Sequence, residues 1–427
     1  MLPGTAFRRH VTLWLLGLVA FINYVDRQAF SVVQDDIKAE FLLSDTMLSL
    51  IAGPGFALVY ALAALPIARY ADRTDRPRLI AGCLGIWSLA TAACGLVTSA
   101  WQLLVARMVL AVGESGSGPA GLSLLTDTFS EKRRTMVIAF LQAGSSAGLS
   151  FGVVLASLLA GFMEWRGVFL TLGLPGLLLA LVVWVIVQEP KKSAKSGGVD
   201  HRFVPLSEAA RIVVGTPTLR WVAVVCIATS IVGFSLLMWG PSFLRRVHGF
   251  DKTAVSWLGG AIGLGLISGN LIAGWLGDRF GVRNPVFNAY LAAGGLALAV
   301  PFTLGFIFLP NPWLALGCFV VLKFFLTLYL APLIALVFAI APSGMRATLS
   351  ALINALLILS GIGFGTFAAG LISDAYAAHF GDQSIRYALA TVSGVLLIAI
   401  LASLMAARTV REDLRASAGG PGSLPAH

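Results

Sequence analysis

Apolar stretches recur along nearly the whole chain, separated by short polar breaks. A helix that crosses a bilayer needs about 20 consecutive apolar residues. Twelve stretches reach that length: 11–33, 46–68, 79–98, 101–126, 135–161, 168–187, 220–243, 255–276, 285–309, 313–340, 349–372 and 387–407. The longest break contains Glu189-Pro190-Lys191-Lys192-Ser193-Ala194-Lys195-Ser196-Gly197-Gly198, a polar, basic and flexible run. It divides the twelve spans into two sets of six. The expected organisation is an N-terminal six-helix bundle over 1–187, a linker over 188–219 with a short surface helix at 206–214, a C-terminal six-helix bundle over 220–407, and a tail over 408–427.

Composition agrees with this pattern. Of 427 residues, 58% are hydrophobic and only 12% charged, where a soluble domain carries roughly a quarter charged. The net charge of +10 is topological rather than a nucleic-acid footprint. With both termini placed in the cytoplasm, and Arg220 counted with the linker, the inner segments hold 21 lysines and arginines and the outer segments 6. That bias sets orientation in the inner (cell) membrane. Arg8-Arg9-His10 followed by an apolar run has the outline of a signal peptide, but no small-residue cleavage pattern follows, so it is read as an uncleaved first span. Cys83, Cys94, Cys226 and Cys318 all lie in apolar spans without ligand spacing, so no metal or disulfide framework is expected. No cofactor is expected, and no P-loop supplies ATP chemistry within the chain. Gly144-Ser145-Ser146-Ala147-Gly148 fits a hydrolase elbow and Gly116-Ser117-Gly118-Pro119-Ala120-Gly121 a dinucleotide loop, but neither has the strand–turn–helix context that chemistry needs. An enzyme is therefore not expected.

Charges inside spans carry the chemistry. Arg107 and Glu114 lie seven residues apart in the fourth span, on one helical stripe and roughly 10 Å apart along the axis. Asp26 and Arg27 lie well inside the first span, with Asn23 three and four residues earlier on a shared face. Charge at that depth faces a protein interior or a wet cavity. These residues form one natural set: Asp26 against Arg107, and Arg27 against Glu114 or an anionic head group. A buried carboxyl beside an arginine changes protonation when the arginine leaves, so Glu114 and Asp26 are the candidate proton carriers. Arg27, Arg107 and Asn23 are the candidate substrate ligands, since arginine stays charged and grips phosphate in a bidentate manner. Lys323, the single charge in the tenth span, is either a cationic wall for the same head group or a residue snorkelling to the outer interface. Phe324, Phe325, Tyr329, Phe234 and Trp239 are candidates to hold an acyl chain. Stripes of small residues (Gly144, Gly148 and Gly152; Gly265, Gly269 and Ala273; Gly361, Gly365 and Ala369) and the Gly53-Pro54-Gly55 break are expected to mark sliding seams between the halves.

A loop repeats between the halves: Ala68-Arg69-Tyr70-Ala71-Asp72-Arg73-Thr74-Asp75-Arg76-Pro77-Arg78 after the second span, and Gly274-Trp275-Leu276-Gly277-Asp278-Arg279-Phe280-Gly281-Val282-Arg283 after the eighth. Twelve spans, a basic linker and this repeat point to a two-bundle transporter with its site near mid-membrane. The loops resemble the major facilitator signature Gly-x-x-x-Asp-Arg-x-Gly-x-Arg. The second copy fits it well, and the first departs at Ala68 and Asp75. The resemblance implies a major facilitator fold: an all-α membrane protein of twelve transmembrane helices in two six-helix bundles related by pseudo-two-fold symmetry. It also implies a gate, in which Asp72 faces the start of the eleventh span near Leu349 and the loop arginines pair with Asp127; Arg73, Asp278 and Arg279 are its other members. Phe21-Ile22-Asn23-Tyr24-Val25-Asp26-Arg27, Gly113-Glu114-Ser115, Trp165-Arg166-Gly167-Val168-Phe169, Leu174-Pro175-Gly176, Met345-Arg346-Ala347-Thr348 and Ala407-Arg408-Thr409-Val410-Arg411-Glu412-Asp413 resemble the Spinster family. That resemblance implies a proton-coupled secondary active transporter of anionic, lysophospholipid-like or sphingoid-phosphate-like amphiphiles, working as a monomer in the bilayer by rocker-switch alternating access. The Asn-Tyr-x-Asp-Arg element is shared with the anion–cation symporters, which makes proton-coupled symport of small organic anions the alternative. A non-transporting receptor is the third reading.

Overall fold

The computed structural model describes residues 3–71, 74–129, 134–189, 206–281, 283–341 and 345–418, and no strand occurs among them. The first half comprises α1 (Pro3–Phe41), α2 (Asp45–Ala52), α3 (Pro54–Ala71), α4 (Arg76–Cys94), α5 (Ala100–Thr128), α6 (Arg134–Phe162) and α7 (Trp165–Ile186). A short α8 (Leu206–Gly215) precedes the second half. There α9 (Pro217–His248) is followed by α10 (Ser256–Leu276), α11 (Pro285–Phe308), α12 (Pro312–Thr327), α13 (Leu330–Ile340), α14 (Arg346–Leu357), α15 (Thr366–Phe380), α16 (Ser384–Ser393) and α17 (Leu396–Ala418). The second span is two helices, α2 and α3, because Gly53 breaks it. The eleventh is α14 and α15 joined by a π-helical segment, Ile358–Gly365.

Among the described residues, nine helical stretches are long and apolar enough to cross a membrane, one of them, Thr348–Ser417, holding both the eleventh and the twelfth span. With α1 and α5, whose apolar runs are interrupted by Asp26, Arg27, Arg107 and Glu114, the expected twelve spans are complete. Local chemistry starts and stops the helices. Ser44, Asp75, Ser99 and Asn311 accept hydrogen bonds from backbone N–H groups of the first turns they precede, which satisfies donors that have no partner inside the helix. Gly249, with φ 67°, ends α9 in the left-handed conformation that glycine tolerates best. The last helix runs past 407 to Ala418, and the Thr218 backbone N–H at the start of α9 donates to Asp413 at 2.8 Å.

The start of α1 and the end of α17 lie at one end of the bundle, here the near end; the α1–α2 turn lies at the far end. The halves meet along α6 and α10, α2 and α15, α3 and the π segment, and α1 and α9. Hydrogen bonds and ion pairs that join them cluster toward the far end. Asp35 and Asp36 of α1 pair with Arg245 and Arg246 of α9 and with Lys252, and Asp45 pairs with Arg246. Gln34 donates to the Met238 carbonyl at 3.0 Å and to Ser242 at 2.8 Å. Also at this end, Arg166 and Trp165 both donate to Glu40 Oε2, at 2.6 and 2.7 Å, which holds that carboxyl below the usual carboxylate range.

The glycine stripes correct one sequence expectation. Gly144, Gly148 and Gly152 pack against α1, Gly265 and Gly269 against α12, and Gly361 and Gly365 against α9. These contacts fall within one half, where close backbone approach binds each bundle into a rigid body. The seam between halves uses Gly259 and Gly263 against Ser150 and Val154, Gly53 against Thr366, and Gly370 against Ser49. A Cβ on Gly148 would overlap the Phe21 carbonyl oxygen, whereas one on Gly82 would meet nothing within 4 Å. Gly148→Ala should therefore destabilise the first half by about 1–3 kcal/mol, visible as a lower melting temperature in detergent. Gly82→Ala should melt like the parent chain.

Candidate functional site

At mid-bundle a partly open cavity lies between the two halves. The first half contributes Tyr24, Arg27, Gln28 and Ser31 from α1, Ala52 and Phe56 from the second span, Arg107 from α5 and Leu149 from α6. The second half contributes Phe234, Leu237 and Met238 from α9, with Ile362 and Thr366 from the eleventh span. Tyr24, Arg27, Gln28 and Ser31 fall on one face because they recur at three- and four-residue spacing. The cationic groups stand on the first half's wall, and the facing wall is almost wholly apolar.

Three of the four expected charges are held close to one another. Arg27 Nε donates to Glu114 Oε2 at 2.5 Å, and the Glu114 side chain is fully buried. Asn23 lies beside Glu114 on the same face of α1, as its spacing from Arg27 required. The Arg27 guanidinium sits over Tyr24, Phe56 and Tyr60, 5.0, 5.2 and 5.3 Å from their ring centroids. These rings supply cation–π attraction where water is scarce. Arg107 is differently placed. It is 3% exposed, its Nε and Nη1 have no hydrogen-bond partner, and its guanidinium lies 4.8 Å from the Phe30 centroid and 5.4 Å from that of Phe56. Phe56 is thus shared by both arginines. Its position follows from the break at Gly53, which starts a new helix at Pro54 and turns that ring inward.

The expected Asp26–Arg107 ion pair is not formed. Asp26 is 1% exposed; Thr91 of α4 donates to its Oδ2 at 3.3 Å, and its Oδ1 has no partner. Asp26 therefore faces α4, away from the cavity, while its neighbour Arg27 faces inward, as the 100° step between adjacent helical residues demands. Lys323 neither snorkels nor lines the cavity. It is buried, reaches the Gly233 carbonyl at 3.4 Å and lies 5.2 Å from the Phe319 centroid. Gly233 precedes Phe234, so Lys323 stands just behind the apolar wall. Of the aromatic candidates only Phe234 lines the cavity. Trp239 is buried and donates to the Thr366 carbonyl, and Phe325 packs against Phe302 and Phe324.

At the near end Asp72 and Arg73 lie outside the described residues. Asp127 does receive a loop arginine, Arg76, at 2.6 Å, and Arg76 also binds Glu189 and Ser123. This cluster ties α4, α5 and the end of the sixth span together within the first half. Asp278 borders a second cavity between α10, α11 and α13, and Arg279 stacks on Trp275 and Phe280. Sequence reasoning missed Phe56, Tyr60, Thr91 and the far-end acids. The visible signals were the i, i+4 pair Phe56–Tyr60 after the Gly-Pro-Gly break, and the doublets Asp35-Asp36 and Arg245-Arg246 at matching places in the two halves.

Comparison with known proteins agrees with this architecture. A family model described as the Major Facilitator Superfamily matches residues 16–357 and 243–425. The chain is 30% identical over 413 residues to an MFS-type efflux pump of Mycolicibacterium smegmatis, covering 94% of this chain and 93% of that protein. It is 30% identical over 281 residues to a probable L-galactonate transporter of Escherichia coli, covering 61% of each. It is 25% identical over 324 residues to Protein spinster homolog 1 of Xenopus laevis, covering 71% of this chain and 61% of the relative. The crystal structure of a bacterial homolog to the human lysosomal transporter Spinster, in an inward-facing and unoccupied conformation, matches with a TM-score of 0.87 at 26% identity, covering 97% of this chain and 99% of that one. These relatives are transporters, not enzymes. Twelve spans in two bundles around a central cavity, with a family match that runs along nearly the whole chain, place it in the major facilitator superfamily of integral membrane transporters.

Proposed function

We propose that the protein is a proton-coupled secondary active transporter of an anionic amphiphile, of the lysophospholipid or sphingoid-phosphate class. It acts as a monomer in the inner membrane with both termini, and so the near end, in the cytoplasm. The observation that carries this reading is the asymmetry of the central cavity. One wall presents two guanidinium groups, one of them without a carboxylate; the other is built from Phe234, Leu237, Met238 and Ile362. An anionic head group answers the first wall and a hydrocarbon chain the second.

The coupling follows from the same geometry. Arg107 is the standing ligand for the head group. Arg27 is held by Glu114 until a proton neutralises that carboxylate, and then turns to the substrate. Asp26, which takes a hydrogen bond from Thr91 and forms no ion pair, holds the resting proton, since a charged carboxylate without adequate partners is costly to bury. The closed far end and the inward-facing relative support a cycle of alternating access, with the near-end loops, including Asp72, Arg73, Asp127, Asp278 and Arg279, closing the cytoplasmic side in the opposite state. Lys323 adds positive potential from behind the apolar wall. A second reading, symport of a small organic anion, is favoured by the likeness to the L-galactonate transporter. Uptake of galactonate against lysophosphatidylglycerol-driven proton release, measured in proteoliposomes with an internal pH dye, separates the two.

Glu114→Gln should abolish substrate-driven proton flux and, because Arg27 loses its carboxylate, also lower the melting temperature; parental flux in the folded, monodisperse fraction of that variant would overturn the coupling scheme. The two arginines should part company. Arg107→Gln should weaken binding of the anionic amphiphile by roughly 10- to 100-fold, the loss expected for charge-assisted hydrogen bonds, without lowering the melting temperature, because no carboxylate is left unpaired. Arg27→Gln should also destabilise the fold by about 3–5 kcal/mol by orphaning Glu114. Thermal melts and binding titrations on the same preparations check both.

A further inference from the structure

We propose that Asp374 is a positioning residue for the transport cycle: supplied by the second half, it caps the first turn of α2 in the first half and latches the far end shut. The proposal rests on the alternating-access reading above and assigns the residue that governs one of its two states.

The first backbone N–H groups of a helix have no partner within it. In α2, Ser44 takes one of them, from Met47, at 3.2 Å. Asp374 of α15 takes two more. Asp45 N donates to its Oδ1 at 3.0 Å and Thr46 N to its Oδ2 at 2.7 Å, and the Thr46 hydroxyl adds a third bond at 2.5 Å. Both carboxylate oxygens are used, at the helix end where a negative charge is most stabilised. A helix cap ordinarily comes from the residue just before the helix; this one comes from 328 positions away and from the other bundle. The grip is two-sided. Ser373 donates to Asp45 Oδ2 at 2.7 Å, and the same carboxylate takes Lys38 and Arg246. Gly370 lies so close to Ser49 and the Asp45 carbonyl that any side chain there would overlap them.

The latch is connected to the substrate site. The eight-residue α2 is separated from α3 by the break at Gly53, and α15 from α14 by the π segment. The two breaks stand opposite each other, since a Cβ on Gly53 would overlap Thr366 Oγ1 and the Ile362 carbonyl. Ala52, Phe56, Ile362 and Thr366, which flank them, all line the cavity. The helices α2 and α15 therefore form a short unit made from both halves, latched at its far end and hinged at the cavity. Releasing the cap frees α2 to swing about Gly53, next to Phe56 at the start of α3, the ring shared by Arg27 and Arg107.

The test uses full-length protein in proteoliposomes, in a background lacking the four native cysteines, with spin-label pairs at Trp101 and Ala377 for the far end and Tyr70 and Ala351 for the near end. Distances are measured by pulsed electron resonance, with and without lysophosphatidylglycerol and on acidification. Asp374→Asn and Asp374→Ala should shift the ratio of far-open to far-closed populations by about tenfold toward far-open, the size expected when a helix loses a side-chain cap, with the near-end pair moving in the opposite sense. Asp374→Glu, which keeps the carboxylate, should restore much of the parental ratio. If Asp374→Ala does not fold, the near-isosteric Asn variant decides. Parental protein that switches normally while the Asn variant shows the same populations at both pairs would overturn the latch alone. Parental protein that does not switch under any condition would overturn the alternating-access reading and the latch with it.

Discussion

The buried Arg27–Glu114 pair is the interaction on which the middle of this molecule depends. Neither group is tolerable alone in a low-dielectric interior, and together they are held only because geometry and further donors compensate the lost water. The rings of Tyr24, Phe56 and Tyr60 surround the guanidinium and Asn23 lies beside Glu114, whose Oε1 is still left without a hydrogen-bond partner. The pair in turn fixes α1 against α5 and leaves Arg107 facing the cavity with unmet donors. A structural ion pair and a cation with unmet donors thus stand one ring apart in the cavity wall.

The two halves share an architecture but not a chemistry. Both use intra-bundle glycine contacts to become rigid units, α6 on α1 in the first and the π segment on α9 in the second. All the cavity's charge comes from the first half, whereas the second offers hydrocarbon, with Lys323 tucked behind Phe234. Two of the breaks in regular helix lie where the halves cross, at Gly53 and at Ile358–Gly365, and such π segments recur at functional sites.

Much of this was legible in the amino-acid order. Twelve apolar stretches, the basic linker and the repeated Asp-Arg loop specify two six-helix bundles, because a bilayer accepts only segments that satisfy their own backbone groups. The intramembrane charges marked the candidate site for the same reason: a charge at that depth has to be partnered or used. The shared face of Asn23 and Arg27 followed from helical spacing, and Glu114 was one of two expected partners for Arg27 because buried charge needs a counter-charge. The glycine stripes were recognised, but whether they faced a bundle-mate or the opposite half depended on the rotation of each helix about its axis, and a stripe of small residues is compatible with either.

What only the tertiary structure decided concerns groups distant in sequence. Asp26 turns to Thr91 and not to Arg107, because adjacent residues on α1 point 100° apart and Arg27 takes the cavity face. Lys323 settles on a backbone carbonyl of α9. Asp374 caps a helix in the other bundle, an interaction with no local signature, since a trans cap needs only an acid anywhere in the chain that folding brings to a helix start. Periodicity and hydropathy determine which residues are buried and on which element. Which buried polar group meets which is set by how whole helices rotate and dock, and that information is spread over both halves of the chain.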